Sequence, residues 1–357
     1  MVGLEATMFN IEITSGISSY SVQVNKKQFA KSEVKHRFWI VDSFFRDFVG
    51  YFDKGFFLNV KEELKTLETC ASIIGFLAEN GCNKKDSIGV LGGGFSQDIG
   101  TLVSSLYMRG VRWSFYPTTL MAMMDSCIGG KSSINVAGKK NLVGNFYPPN
   151  KIDIFTGFIN SLNRVEIASG LLEAIKICFA HSKTSFEIIN RELANTLAGD
   201  SNDFDYERLI AHSLQSKKWF LEIDEFDQNE RQLLNFGHTF GHALESATEY
   251  MIPHGIAIGY GMLAAIDFLG DLHQKEVSAL VGLVRGILNF SEFGLRGVTP
   301  IDYEKFCAAF DSDKKHSGTE YRLILPGVSG LDKVSLPRNL VTRNAAFISM
   351  NKVLQVD

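Results

Sequence analysis

The sequence predicts two domains: an α/β domain with a parallel sheet over residues 1–150, and a mostly α-helical domain over residues 151–357. Three observations carry this. In the first half, short apolar runs alternate with amphipathic stretches, the pattern of parallel strands joined by helices. From about residue 160 the pattern is almost wholly helical. Between them stands Asn145-Phe146-Tyr147-Pro148-Pro149-Asn150, whose two prolines exclude a helix interior. At 357 residues the chain is also too long for one ordinary core.

Taken in order, Met8–Ile13 and Tyr20–Val24 alternate with period two and predict an N-terminal β pair. Phe38–Val41 is a continuous apolar run ending at Asp42, a buried strand. Leu64, Leu67, Ala71, Ile74 and Leu77 fall at helical spacing, with Gly81 as a stop. Ile88–Leu91 is another buried strand, running into Gly92-Gly93-Gly94. Val111–Tyr116 is a further strand before Pro117-Thr118-Thr119. Helices are expected over Arg164–Phe179, Tyr206–Phe220, Thr239–Thr248, Ala257–Leu272 and Val277–Phe290, with a late strand at Tyr321–Leu325. A small-molecule site is expected in a cleft between two such domains.

Composition narrows the function. Apolar residues make up 45% and charged residues 21%, close to globular averages. A net charge of -4 without a long basic run argues against nucleic acid as the main partner. No basic flank precedes an apolar run at the N-terminus, and no stretch reaches the roughly 18 apolar residues of a membrane span. The five cysteines are odd in number and form no CxxC pair, so they read as reduced thiols of a cytoplasmic protein.

Three segments carry chemistry. A glycine run after a buried strand lets backbone N–H groups approach a phosphate, with a helix dipole behind them. The GxGxxG spacing is absent, so a tight strand-to-helix turn explains Gly92–Gly94 equally well. Asp125-Ser126-Cys127-Ile128-Gly129-Gly130-Lys131, followed by Asn135, Lys139, Lys140 and Asn141, sets lysines beside a glycine turn, where they can meet anionic oxygens. The competing reading is a solvated loop.

The third segment is the most specific. Leu233-Leu234-Asn235-Phe236-Gly237-His238-Thr239-Phe240-Gly241-His242-Ala243-Leu244-Glu245 places His238 and His242 on one helical face, about 6 Å apart at Cβ, which suits two ligands of one metal. No glutamate follows the first histidine, so the HExxH protease reading fails. Pro253-His254-Gly255 follows. Three histidines in 17 positions, out of eight in the chain, outweigh the ordinary reading of each as a core residue. Glu173, in the apolar stretch Ala168–Lys176, is the best carboxylate to join them. A surface ion pair with Lys176 is less consistent with its Leu and Ile neighbours.

With these segments in view, the chain resembles the 3-dehydroquinate synthase family of sugar phosphate cyclases. The motifs are PTTLMAMMDSCIGGK, KNLVGNFYPP, ASGLLEAIK and LLNFGHTFGHALE followed by PHG, and the match returns at Asp313-Lys314-Lys315 and Arg322–Pro326. The resemblance implies a Rossmann-like NAD-binding N-terminal domain, a helical metal-binding C-terminal domain, and a homodimer. It implies Glu173, His238 and His254 as ligands of one divalent metal, zinc or cobalt. It implies active-site roles for Asp125, Lys131, Lys140, Asn141, Lys176, Lys217, Arg231, Asn235, His242 and one of Lys314 and Lys315. Arg109 would reach the site from the partner subunit. NAD contacts would include Asp42, Glu62, Lys65, Gly93, Gly94, Asp98, Thr118, Thr119, Asp125, Lys131 and Lys140.

The activity so implied is conversion of 3-deoxy-D-arabino-heptulosonate 7-phosphate to 3-dehydroquinate, a lyase step of the shikimate pathway that releases phosphate without net redox change. The lysines and Arg231 would explain a basic pocket in a net-acidic chain. Four departures from the family pattern stand out: Gln97 before Asp98, Val136 after Asn135, Ile256 after His254-Gly255, and Ile177-Cys178 after Lys176. They keep open a cyclase acting on another sugar phosphate, such as sedoheptulose 7-phosphate or an amino analogue. A metal-dependent polyol dehydrogenase and a non-catalytic paralogue are the remaining alternatives.

Overall fold

The structure is a computed structural model that describes residues 8–355, apart from 138, 200–203, 271–273, 297, 329 and the side chains of 274–276. The chain divides into two compact units. The first comprises Met1–Leu162 with Tyr206–Phe226, and the second Asn163–Asp205 with Asp227–Asp357.

The first unit is built on a seven-stranded sheet. Its strands are β1 (Met8–Ile13), β2 (Tyr20–Asn25), β3 (Phe38–Asp42), β4 (Lys54–Leu58), β5 (Ser87–Gly92), β6 (Arg112–Pro117) and β9 (Lys151–Phe155), in the order β1-β2-β9-β6-β5-β3-β4. Only β1 is antiparallel to its neighbour; every other pairing is parallel. Parallel strands buried on both faces need continuous apolar sequence. Phe38–Val41 and Ile88–Leu91 meet that demand, all at 0% exposure but Gly89, which is also buried. Helix α1 (Leu67–Glu79) is capped by Thr66 and α2 (Gly94–Leu106) follows β5 directly. A hairpin of β7 (Ile134–Val136), whose Ile134 is buried, and the exposed β8 (Lys139–Val143) lies outside the main sheet.

Two sequence expectations need correction in this unit. The buried face of α1 is Cys70, Ile73 and Leu77, not the Leu67–Ala71–Ile74 stripe. Leu64 lies in a separate 3-10 turn before the Thr66 cap, so counting from it rotates the stripe off the core. The boundary at residue 150 also falls short. β9 pairs with both β2 and β6, which carries the first unit on to Leu162.

A helix expected in the second domain also belongs here. In α5 (Tyr206–Ile223), the Ser213 hydroxyl donates to the Met124 carbonyl at 2.8 Å, and Glu222 accepts from the Thr14 N–H at 2.8 Å.

The second unit is helical, as expected. It contains α3 (Arg164–His181), α4 (Lys183–Ala198), α6 (His238–Ala247), α7 (His254–Phe268), α8 (Gln274–Ser291), α9 (Tyr303–Asp311) and α10 (Leu340–Gln355), with one hairpin of β10 (Glu320–Gly327) and β11 (Gly330–Pro337). The expected helix end at Leu272 lies outside the described residues. α3 opens with a capping box in which Asn163 and Glu166 exchange bonds with each other's backbone N–H.

The hub is α7, buried from Gly255 to Ile266 and packed against α3, α6, α8 and α10. A helix apolar on all sides has to sit at the centre of a bundle. α6 approaches it closely because Gly237 has φ +76, and a Cβ on Gly261 would lie 2.1 Å from the Gly237 carbonyl oxygen. Among the described residues no helix is long and apolar enough to cross a membrane.

Candidate functional site

In the first unit, β3 continues outward to β4 while β5 continues the other way through β6 to β9. Ligands of open parallel sheets bind outside the carboxyl ends of strands at such a reversal. That point is occupied by Asp42, ending β3, and by Gly92–Gly94, where β5 meets α2. Gly93 is the N-cap of α2 and offers no side-chain cap, and a helix start of this kind suits an anion.

Thr118 donates its N–H to the Gly92 carbonyl at 3.0 Å, which sets Thr118 and Thr119 beside the glycine turn. Burial pushes the Asp42 carboxyl up, against the pull of the Phe44 N–H that it accepts at 2.9 Å.

A polar cluster gathers the next group. Lys65 is 8% exposed and pairs with Asp98 at 2.6 Å; it also donates to Asn141 Oδ1 at 3.0 Å. Asp98 accepts from the Ser133 N–H at 3.0 Å. Burial raises its carboxyl, with Lys65 pulling the other way. Glu62 accepts from Asn135 Nδ2 at 2.8 Å and lies 4.0 Å from Lys140. Stretches that stand far apart in the sequence therefore meet here.

Asp125 sits in a π-helical turn, Ala122–Ser126, and its carboxylate lies 2.6 Å from the Lys217 ammonium of α5. Lys131 is exposed and stands over the Phe146 ring, 5.8 Å from its centroid. Arg109 is exposed on a turn whose residues Met108 and Arg109 have φ +47 and +60. Lys84 ties that turn down by donating to the carbonyls of Met108, Arg109 and Gly110.

In the second unit, Glu173 and Lys176 are 1% and 2% exposed and paired with each other, which excludes the surface ion pair. Glu173 Oε1 also lies 3.4 Å from His254 Nε2, and the opposite ring nitrogen, Nδ1, lies 3.2 Å from Glu245 Oε2. His238 opens α6 and His254 opens α7. With His242 they offer nitrogens that all lie within 4.8 Å of one another.

Burial, then the positive charge of Lys176, holds His238 well below its usual range; burial and His254 bring His242 down to about 4. His254 differs. Burial opposes its charge, but the Glu173 and Glu245 hydrogen bonds outweigh this and raise it to about 10. Two neutral imidazoles, a third held between carboxylates, and a buried glutamate suit a divalent cation of the zinc or cobalt type.

Arg231 is 4% exposed and Asn235 half-buried, both in the turn that leads to His238. The two lysines after Asp313 differ in setting. Lys314 is exposed, whereas Lys315 is half-buried, 3.0 Å from Asp313 Oδ2, which also accepts from the Thr239 hydroxyl at 2.7 Å. Sequence reasoning misses Glu245, Thr239 and Asp313. Glu245 has a signal that could have found it, as an acid one turn after His242 on the face that already carries two histidines.

Comparison with known proteins agrees with this picture. Residues 56–169 match the family described as 3-dehydroquinate synthase N-terminal, and residues 170–316 match 3-dehydroquinate synthase C-terminal. A 3-dehydroquinate synthase of Dictyoglomus thermophilum is 36% identical over 285 residues, covering 80% of this chain and 78% of its own. One from Clostridium tetani is 32% identical over 311 residues, covering 85% and 81%.

Solved structures share the fold. 2-Deoxy-scyllo-inosose synthase, in complex with carbaglucose-6-phosphate, NAD+ and Co2+, superposes with a TM-score of 0.80 at 20% identity, over 96% of this chain and 99% of its own. 2-Epi-5-epi-valiolone synthase from Streptomyces hygroscopicus, with NAD+ and Zn2+ bound, gives 0.77 at 20% identity over 97% and 99%. From the two matched regions and these relatives, the chain belongs to the 3-dehydroquinate synthase family.

Proposed function

We propose that this enzyme is a 3-dehydroquinate synthase of the shikimate pathway, a carbon–oxygen lyase acting on 3-deoxy-D-arabino-heptulosonate 7-phosphate with NAD and one divalent metal. The observation that carries the reading is the buried Glu173 between Lys176 and His254, beside two further histidines. The curated relatives carry that name over most of the chain, which favours this substrate over another sugar phosphate.

When bound, the dinucleotide would supply a reversible hydride acceptor and the cation would supply Lewis acidity toward a substrate hydroxyl. The chain's own residues do the positioning. Glu173, His238 and His254 hold the cation. Gly93 and Gly94, Asp42, Thr118, Thr119 and the Glu62–Lys65–Asp98 cluster hold the dinucleotide. Lys131, Lys140, Asn141, Lys176, Lys217, Arg231, Asn235 and Lys315 meet the carboxylate and phosphate of the sugar acid, with Asp125 orienting Lys217. His242 is neutral at pH 7, so one of its ring nitrogens can accept a proton.

The exposed Arg109 turn supports a homodimer in which this arginine serves the partner's site. Five buried cysteines, none of them in a disulfide, support a cytoplasmic setting. The test is turnover of the seven-carbon substrate with NAD and Zn2+ or Co2+. Phosphate release without build-up of NADH is expected; no release, or steady accumulation of NADH, rejects the reading.

A further inference from the structure

Gln97 is 4% exposed and lies in the first turn of α2, next to Asp98. Its side-chain Nε2 donates to the Ser126 carbonyl at 2.6 Å, and its Oε1 accepts from the Ser126 hydroxyl at 2.7 Å. A backbone carbonyl can only accept, so the partners themselves fix which way the amide points.

Ser126 closes the π-helical turn that carries Asp125. That turn is held by an i→i+5 bond from the Cys127 N–H to the Ala122 carbonyl at 3.0 Å. Such wide turns are rare and cluster where function demands a particular geometry. Next along the turn, the Asp125 carboxylate lies 2.6 Å from Lys217, whose ammonium also donates to the Asp125 carbonyl at 2.6 Å. Ser126 Oγ faces the glycine turn as well, 3.8 Å from where a Cβ on Gly94 would stand. Adjacent residues of one helix thus grip two loops: Gln97 takes the Asp125 turn, and Asp98 takes Lys65 and Ser133.

We propose that Gln97 is a positioning residue. Through Ser126 it holds the Asp125–Lys217 pair in register with the Gly93–Gly94 turn, and so governs NAD affinity and turnover. The inference rests on the reading of this unit as the dinucleotide site.

The test is Gln97→Met, which keeps the volume and removes both hydrogen bonds. NAD dissociation constant, KM, kcat and thermal midpoint are measured on the full chain. The expectation is that NAD affinity and kcat each fall about tenfold, as displaced catalytic groups do, while the thermal midpoint moves by only a few degrees. Adding Ser126→Ala to Gln97→Met should cost little more, since Gln97→Met already removes the bond that Ser126→Ala deletes.

If the wild-type chain binds NAD and Gln97→Met keeps its NAD affinity, KM and kcat to within about twofold, the inference is overturned. Failure of the wild-type chain to bind NAD would instead overturn the functional reading, and the inference with it. Should Gln97→Met not fold, Ser126→Ala and Gln97→Leu decide together: a loss of about threefold in NAD affinity or kcat in either supports the role, and unchanged values in both refute it.

Discussion

Glu245 Oε2 lies 3.2 Å from His254 Nδ1, while the Nε2 of the same ring faces Glu173 at 3.4 Å. A carboxylate on one ring nitrogen fixes the tautomer and turns the other nitrogen toward a cation; loss of such a partner typically costs 10–100-fold in metal affinity. Glu245→Gln should therefore weaken Zn2+ or Co2+ binding by about tenfold or more, as read by competition with a chelating dye. Unchanged affinity would mean that the ring is held by its helix alone.

Glu173 and His242 are alternative candidates for the third ligand beside His238 and His254. Spacing and the grouping of nitrogens favour the three histidines, while burial and the His254 contact favour Glu173. Glu173→Gln should abolish tight metal binding. His242→Ala should leave it largely intact but reduce kcat by about 100-fold, as loss of a proton-transferring group does. Equal metal loss in both variants would assign the cation to the histidine triplet instead.

Much of this site is legible without the fold, for definable reasons. His238 and His242 are four residues apart on one helix, and the helical period alone makes them neighbours. The glycine turn after β5 is legible because a fully buried strand reads as an unbroken apolar run. The Glu245–His254 contact is not, because it depends on how closely α6 meets α7, which the small residues Gly237 and Gly261 decide. The place of α5 is equally hidden. Its apolar stripe is that of any amphipathic helix, and contacts such as those of Glu207, Ser213, Lys217 and Glu222 show that it packs on the sheet unit. β9 is masked by the two prolines before it, which mark a turn but give no sign of the strand beyond.

The lysine pair after Asp313 offers a direct contrast. Asp313 holds Lys315 at 3.0 Å, and Lys315, the Lys315 backbone N–H and the Thr239 hydroxyl keep its carboxyl below the usual range although burial opposes this. Lys315 is thus fixed beside the residue next to His238, while Lys314 is exposed. Lys315→Met should raise KM for the sugar phosphate by about tenfold or more, the value of one charge-assisted hydrogen bond, and Lys314→Met by less than about twofold. Steady-state kinetics on the two variants checks this, and the reverse order would exchange their roles.

His36 makes the stability of the first unit sensitive to acid. His36 packs against Trp39, with Nδ1 2.7 Å from the Ser87 hydroxyl and Nε2 3.2 Å from the Tyr116 hydroxyl. Burial, aided by Lys151 and Lys35 against the Ser87 bond, brings its pKa from 6.5 down to about 4. The unfolded chain therefore binds a proton between these values that the folded chain refuses. Stability from this group is fully present above pH 6.5 and is lost as the pH falls toward 4. Because the ring is only partly buried, the loss should be on the order of 2 kcal/mol rather than the full linkage value. His36→Gln keeps a donor and an acceptor but cannot titrate. Urea unfolding of both proteins at pH 7.5 and pH 5 should show the wild type losing more stability than the variant. Equal losses would place the acid sensitivity on other groups.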